Sequence, residues 1–122
     1  MARILVVDDS PTEMFRFKEI LNKNGYTVLE ATNGADGVTV AQAEQPDLVL
    51  MDVVMSGVNG FQATRQIARG EKTKHIPIVI VSTKDQATDR VWGKRQGASG
   101  YLTKPVDENK LIEVIRQYIN AG

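Results

Sequence analysis

Five short apolar runs, each followed by a stretch with helical periodicity, leave this chain few ways to fold. The runs are Ile4-Leu5-Val6-Val7, Thr27-Val28-Leu29-Glu30-Ala31, Leu48-Val49-Leu50-Met51, Ile78-Val79-Ile80-Val81 and Gly100-Tyr101-Leu102-Thr103. Most are continuously apolar rather than alternating, the pattern of strands covered on both faces. The first helix places Met14, Phe17 and Leu21 on one side. Ser10, Pro11 and Glu13 read as its N-cap, its first-turn proline and the returning glutamate of a capping box. Asn24-Gly25 closes it. The second helix runs from about Gly34 to Gln45 with Val38 and Ala41 inward, and the third from about Gly60 to Gly70 with Phe61, Thr64, Ile67 and Ala68 inward. The fourth spans roughly Asp85 to Gln96 with Val91 inward. The fifth runs from about Asp107, its N-cap, to Asn120, with Leu111, Val114, Ile115, Tyr118 and Ile119 at helical spacing.

Repeated strand–helix units demand a parallel sheet with right-handed crossovers and helices on both faces. The expected fold is α/β, a flavodoxin-like doubly wound (βα)5 three-layer sandwich with five parallel strands in the order 2-1-3-4-5. No linker or low-complexity tract interrupts residues 1–122, so one domain with no effector domain is expected.

Composition removes whole classes of chemistry. There is no cysteine, so disulfides, thiolate catalysis and cysteine metal sites are excluded. The lone histidine, His75, speaks against paired-histidine metal sites and reads as a solvated loop residue. Fifteen basic residues balance fifteen acidic ones, which points to neither nucleic acid nor an anionic membrane as partner. No apolar run approaches the ~20 residues of a membrane span, and no signal peptide precedes the first strand. A cytoplasmic location and a monomer are expected.

The strand ends carry the chemistry. The first run ends in Asp8-Asp9, the third in Asp52, the fourth in Ser82-Thr83 and the fifth in Lys104. In an open parallel sheet, sites form beyond the carboxyl ends of strands where the winding reverses. Here that reversal lies between the first and third strands, the two that end in carboxylates. Crowded carboxylates raise one another's pKa, and a hard divalent cation with oxygen ligands relieves that. Asp52 has the chemistry of a carboxylate nucleophile, Mg²⁺ on Asp9 and Asp52 and the Lys104 ammonium could neutralise developing charge, and the Ser82 hydroxyl could bind a phosphoryl oxygen. Singly, each residue has a plainer reading: Asp8-Asp9 as a helix cap, Asp52 as a turn residue, Lys104-Pro105 as a loop. Their joint placement at successive strand ends favours a phosphoryl-transfer site.

The chain closely resembles the receiver domain of bacterial two-component response regulators, over essentially its whole length. The resemblance rests on Val7-Asp8-Asp9-Ser10, Leu50-Met51-Asp52 with Gly57-Val58-Asn59-Gly60, Val81-Ser82, Gly97-Ala98 through Tyr101, and Lys104-Pro105. It implies that Asp52 accepts a phosphoryl group, with Mg²⁺ held by Asp9, Asp52 and the backbone carbonyl of Val54, and Asp8 acting through water. It implies that Lys104 bridges the phosphoryl group, that Ser82 and Tyr101 form the switch, and that the Lys104–Pro105 bond is cis. It further implies a phosphoacceptor rather than an enzyme, with a chemotaxis-type histidine kinase as donor. The fourth helix, fifth strand and fifth helix would form the output face for a protein target.

Ser10 through Met14, Phe61 through Gln66 and Thr83 through Gly97 look like the single-domain regulators of type IV pilus twitching motility, which would act directly or as a phosphate sink. Departures from the family are Ser56 in place of a proline, the apolar Val54 two residues past Asp52, and the basic Lys84 two residues past Ser82. Two other functions on this fold fit less well. An aspartyl phosphatase places a second acid two residues after the nucleophile, where Val54 stands, and a flavin site needs a glycine- and hydroxyl-rich first loop instead of Asp8-Asp9. Phe15 lies off the inward stripe of its helix. Trp92 reads as a half-buried aromatic or a partner contact, Gly93 as a weak point in the fourth helix, and Lys94-Arg95 as solvated surface.

Overall fold

The computed structural model describes residues 2–55, 59–84 and 86–119. Five strands alternate with five helices: β1 (Arg3–Val7), α1 (Pro11–Lys23), β2 (Thr27–Ala31), α2 (Gly34–Glu44), β3 (Leu48–Met51), α3 (Gly60–Arg69), β4 (Ile78–Ser82), α4 (Ala87–Arg95), β5 (Gly100–Thr103) and α5 (Glu108–Ile119). All strand pairs are parallel and the order is β2-β1-β3-β4-β5, as the sequence predicts. The expected starting residue of α4, Asp85, the expected last residue of α5, Asn120, and Ser56, Gly57 and Val58 lie outside the described residues.

Period two in the strands builds two cores. Ile4 and Val6 of β1, Leu48 and Leu50 of β3, and Val79 and Val81 of β4 face Met14, Phe17 and Leu21 of α1 and Leu111 and Ile115 of α5. Leu5, Val7, Val49, Met51 and Ile78 face Val38 and Ala41 of α2 and Ala63 and Ile67 of α3. This double burial explains the unbroken apolar runs of the central strands. The edge strand β2 is largely half-exposed and keeps Glu30 in solvent.

Local signals place most helix ends, with one substitution of partner. The Ser10 hydroxyl accepts the Glu13 N–H at 3.3 Å. The Ser10 N–H, which a returning Glu13 would have taken, instead donates to Asp8 Oδ1 at 2.9 Å. The capping box expected of Glu13 is thus replaced by a bond to the residue just beyond β1. Helix α3 carries its own capping box between Asn59 and Gln62, which the sequence reading missed. Asp107 caps α5 by accepting the Lys110 N–H.

Helix α4 departs from expectation. Val91 is 53% exposed, and Gly93 is the buried residue of the helix. A Cβ at Gly93 would lie 2.8 Å from Ile80 Cδ1 and 3.4 Å from the Tyr101 ring, so the missing side chain lets α4 approach β4 and β5. That close approach turns Val91 and Trp92 toward solvent. Phe61 is likewise half-buried rather than inward, because the inner face of α3 consists of Gly60, Ala63, Thr64 and Ile67.

The Thr64 hydroxyl is buried and has no hydrogen-bonding partner among the described residues. Thr64→Val removes that polar group at nearly constant shape, and it is expected to stabilise the fold by about 1 kcal/mol. Chemical denaturation measures this directly, and a destabilised variant would show that the hydroxyl has a partner in solution.

Candidate functional site

Hydrogen bonds past the strand ends bring the candidate residues together. The Asp52 N–H donates to Val7 O at 3.0 Å, and the Asp8 N–H donates to Ala31 O at 3.1 Å. The ends of β3 and β2 are therefore locked to either side of the end of β1. One strand further out, the Lys104 N–H donates to Ser82 O at 2.8 Å, which sets the lysine against the end of β4. The Lys104–Pro105 bond is cis, as the resemblance implies.

The side chains then converge. Lys104 Nζ lies 2.8 Å from Asp8 Oδ2 and 3.7 Å from Asp52 Oδ2. Asp8 is 2% exposed and Asp52 7%, while Asp9 is open to solvent. One carboxylate oxygen from each of the three acids lies within 4.8 Å of the others. Asp52 Oδ1 accepts the Val54 N–H at 3.1 Å, which leaves Oδ2 facing Lys104. Val54 itself is exposed beside the acids.

Burial pushes the Asp52 carboxyl above its ordinary pKa, and Asp8 and Asp9 push it further, whereas the Val54 N–H and Lys104 pull it back. Burial alone would lower the Lys104 ammonium, but its hydrogen bond to Asp8 and the charge of Asp52 outweigh that and raise it. Three acids against one ammonium leave an excess of negative charge in a pocket of hard oxygen donors. That donor set suits Mg²⁺, which takes one or two carboxylates and retains water.

Ser82 is fully buried, and its hydroxyl oxygen accepts the Lys84 N–H at 3.1 Å. Tyr101 is tied to the same segment, donating from its hydroxyl to Lys84 O at 2.7 Å. Arg90 sits over the Tyr101 ring at 5.1 Å and donates to Thr103 Oγ1 at 2.9 Å, fastening α4 to β5. Asp8, Asp9, Asp52 and Lys104 thus form one cluster at the rim that carries Ser82. Tyr101 is linked to that rim through Lys84. His75 is an exposed loop residue, and Phe15 is exposed on α1, both as expected.

The sequence reading takes Gly60 as the start of the third helix and as part of the motif that carries the resemblance, but assigns it no packing role. A Cβ there would lie 2.0 Å from Asp52 O and 2.5 Å from Val53 Cα, both backbone atoms that cannot swing aside. The glycine thus lets α3 start directly against the Asp52 backbone. Gly60→Ala is expected to destabilise the fold by about 3 kcal/mol, because the overlap must be relieved by moving backbone. Its thermal midpoint, compared with that of the wild type, tests this, and an unchanged midpoint would sink it.

Comparison with known proteins bears on the family and the fold. The response regulator receiver domain family matches residues 4–116. The chain is 63% identical to Protein PilH of Pseudomonas aeruginosa over 115 residues, covering 94% of this chain and 95% of that protein. The receiver domain of the sensor histidine kinase PA1611 from the same organism superposes with a TM-score of 0.92 at 28% identity, covering 98% of each chain. That structure holds a magnesium ion coordinated in its active site cleft. The chemotaxis protein CheY4 of Vibrio cholerae superposes with a TM-score of 0.91 at 29% identity, over 97% of this chain and 98% of that one.

Proposed function

The chain belongs to the response regulator receiver domain family, and from that premise we propose that it is a phosphorylation-dependent switch whose acceptor is Asp52. The observation that carries the proposal is the cluster itself: three converging carboxylates with Lys104 Nζ set between Asp8 and Asp52. An isolated helix cap or turn acid has no need of that arrangement.

Asp52, ionised, attacks phosphorus through the oxygen turned toward Lys104. A P–O bond to the carboxylate forms as the bond from phosphorus to the donor breaks. With a phosphohistidine donor, the imidazole nitrogen leaves with the electron pair and is protonated. Lys104 stands 3.7 Å from the attacking oxygen and can ion-pair with the transferred phosphoryl group. Asp9, Asp52 and the Val54 carbonyl would hold Mg²⁺, with Asp8 acting through water. The ion, when bound, neutralises phosphoryl charge. The Ser82 oxygen accepts from Lys84, which leaves its own proton to donate to a phosphoryl oxygen. That movement would pull on the segment to which Tyr101 is bonded and so alter the face formed by α4, β5 and α5.

The chain is then a stoichiometric phosphoacceptor, assisting its own phosphorylation and dephosphorylation rather than turning over a substrate. A chemotaxis-type histidine kinase in the cytoplasm is its donor, and residues 1–122 act as a single receiver domain. Among the described residues no helix is long and apolar enough to cross a membrane. The similarity to PilH supports a role in type IV pilus twitching motility, by direct output or as a phosphate sink. Acetyl phosphate should add one phosphoryl group in the presence of Mg²⁺ and none in EDTA, read by intact mass. Equal incorporation in both conditions would overturn the Mg²⁺ assignment. Turnover of a phosphate monoester would overturn the stoichiometric one.

A further inference from the structure

We infer that Arg16 is a positioning residue for Lys104, acting from α1 through the backbone of the loop that follows the lysine. The inference rests on the phosphoacceptor reading above. Arg16 is part-buried on α1, and its guanidinium donates to the carbonyl of Val106, ninety residues away in the chain. Val106 is two residues past Lys104, with only Pro105 between them. The Val106 side chain is buried in the core shared by α1 and α5, so this loop is anchored there as well.

Lys104 is thereby tied to α1 indirectly on two sides. Its ammonium sits on Asp8, whose other oxygen accepts the Ser10 N–H at the start of α1. The backbone two residues past Lys104 is fixed from further along α1 by Arg16. Proline stiffens the link, because its ring restricts φ and a displacement of the Val106 carbonyl carries over to Lys104. The ammonium is 2.8 Å from one carboxylate and 3.7 Å from the other, a balance that a small shift of the main chain would upset.

A second tie crosses the same junction. Lys23, two turns further along α1, pairs with Glu108 at 2.9 Å. That pair is exposed, attaches beyond the loop at the first residue of α5, and holds no backbone group of the loop. It therefore provides the control. A general fastening of α1 to α5 would make both ties matter, whereas positioning of Lys104 singles out Arg16.

The test compares initial rates of phosphoryl incorporation from acetyl phosphate at saturating Mg²⁺, by intact mass, well below each variant's thermal midpoint. Incorporation by the wild type is the check on the underlying reading. If the wild type incorporates nothing, the phosphoacceptor assignment fails and this inference fails with it. Given a reactive wild type, Arg16→Met should lower the maximal rate about tenfold, since misplacing a reacting group by about 1 Å can cost a hundredfold. The half-saturating concentrations of acetyl phosphate and of Mg²⁺ should stay unchanged, because Arg16 touches none of the three acids. Arg16→Lys, which keeps a donor for the carbonyl, should recover most of the rate. Lys23→Met should stay within about twofold of wild type, as expected for an exposed pair. A wild-type rate in Arg16→Met, or an equal loss in Lys23→Met, would overturn the inference.

Discussion

Asp52→Asn is expected to abolish phosphoryl incorporation and, in the metal-free protein, to make the fold more stable. The first effect follows from chemistry, since a neutral amide oxygen is a poor nucleophile and its acyl phosphate would require loss of nitrogen. The second follows from electrostatics. Burial, with Asp8 and Asp9 alongside, raises the Asp52 pKa above its ordinary value, so the folded protein holds this proton more tightly than the unfolded chain does. Stability gained by protonation is present below the unfolded pKa and is lost as pH rises through the folded one. At neutral pH the ionised carboxylate is therefore a net cost, and asparagine removes it while its amide oxygen still accepts the Val54 N–H. Each kcal/mol so relieved raises the thermal midpoint by about 4 °C in a domain of this length. The gap between variant and wild type should narrow as pH falls, because protonation of Asp52 gives the wild type the same relief. A variant less stable than wild type at neutral pH, or a gap that widens toward acid, would contradict this account. A phosphoryl adduct retained in the variant would displace Asp52 as acceptor.

Such a combination, activity lost and stability gained, marks a site whose residues conflict with local folding rules. The rest of the molecule follows those rules closely, which is why so much was legible. The central strands announce themselves as apolar runs because both faces are covered. The crossover rule fixes the handedness of their connections, the flavodoxin-like pattern supplies their order, and the acids stand out because they recur at strand ends. Helix α4 was misread for a definite reason. Helical spacing points Val91 inward, but the interface is set by the absence of a side chain at Gly93, and a missing Cβ leaves no trace in hydrophobic periodicity. The packing role of Gly60 and the bond made by Arg16 escaped for a related reason. Each meets a backbone carbonyl, that of Asp52 or of Val106, and such a partner has no residue type to notice. Glu13 failed as a capping partner because Asp8 already occupies the Ser10 N–H, a competition that only the folded strand end creates.

Lys104→Ala should show the reverse of Asp52→Asn in stability and a similar loss in reactivity. Lys104 is 10% exposed at its side chain and pairs with Asp8 at 2.8 Å, where Asp8 is itself almost completely buried. Removing the ammonium leaves that carboxylate without its counter-ion and leaves three acids facing one another. Breaking a buried pair from one side costs about 3–5 kcal/mol, and the Ser10 N–H on Asp8 should hold the loss near about 3. The Lys104 pKa is raised, so the contribution is fully present up to the ordinary lysine value of 10.5 and disappears only as pH rises through the still higher folded value. The deficit should therefore persist unchanged through neutral pH. Mg²⁺ should restore more stability to the variant than to the wild type, because a cation binding the acids now replaces a missing one. The rate of incorporation from acetyl phosphate should fall about a hundredfold, the scale of losing one charge that stabilises a transition state. Lys104→Arg separates the two roles. Its charge should recover much of the stability, but a planar guanidinium cannot occupy the position of the ammonium between Asp8 and Asp52, so the rate should stay low. If arginine restored both, charge alone would suffice and the placement of Nζ would not matter. If alanine left stability unchanged in EDTA, the buried pair would not be holding the acids together.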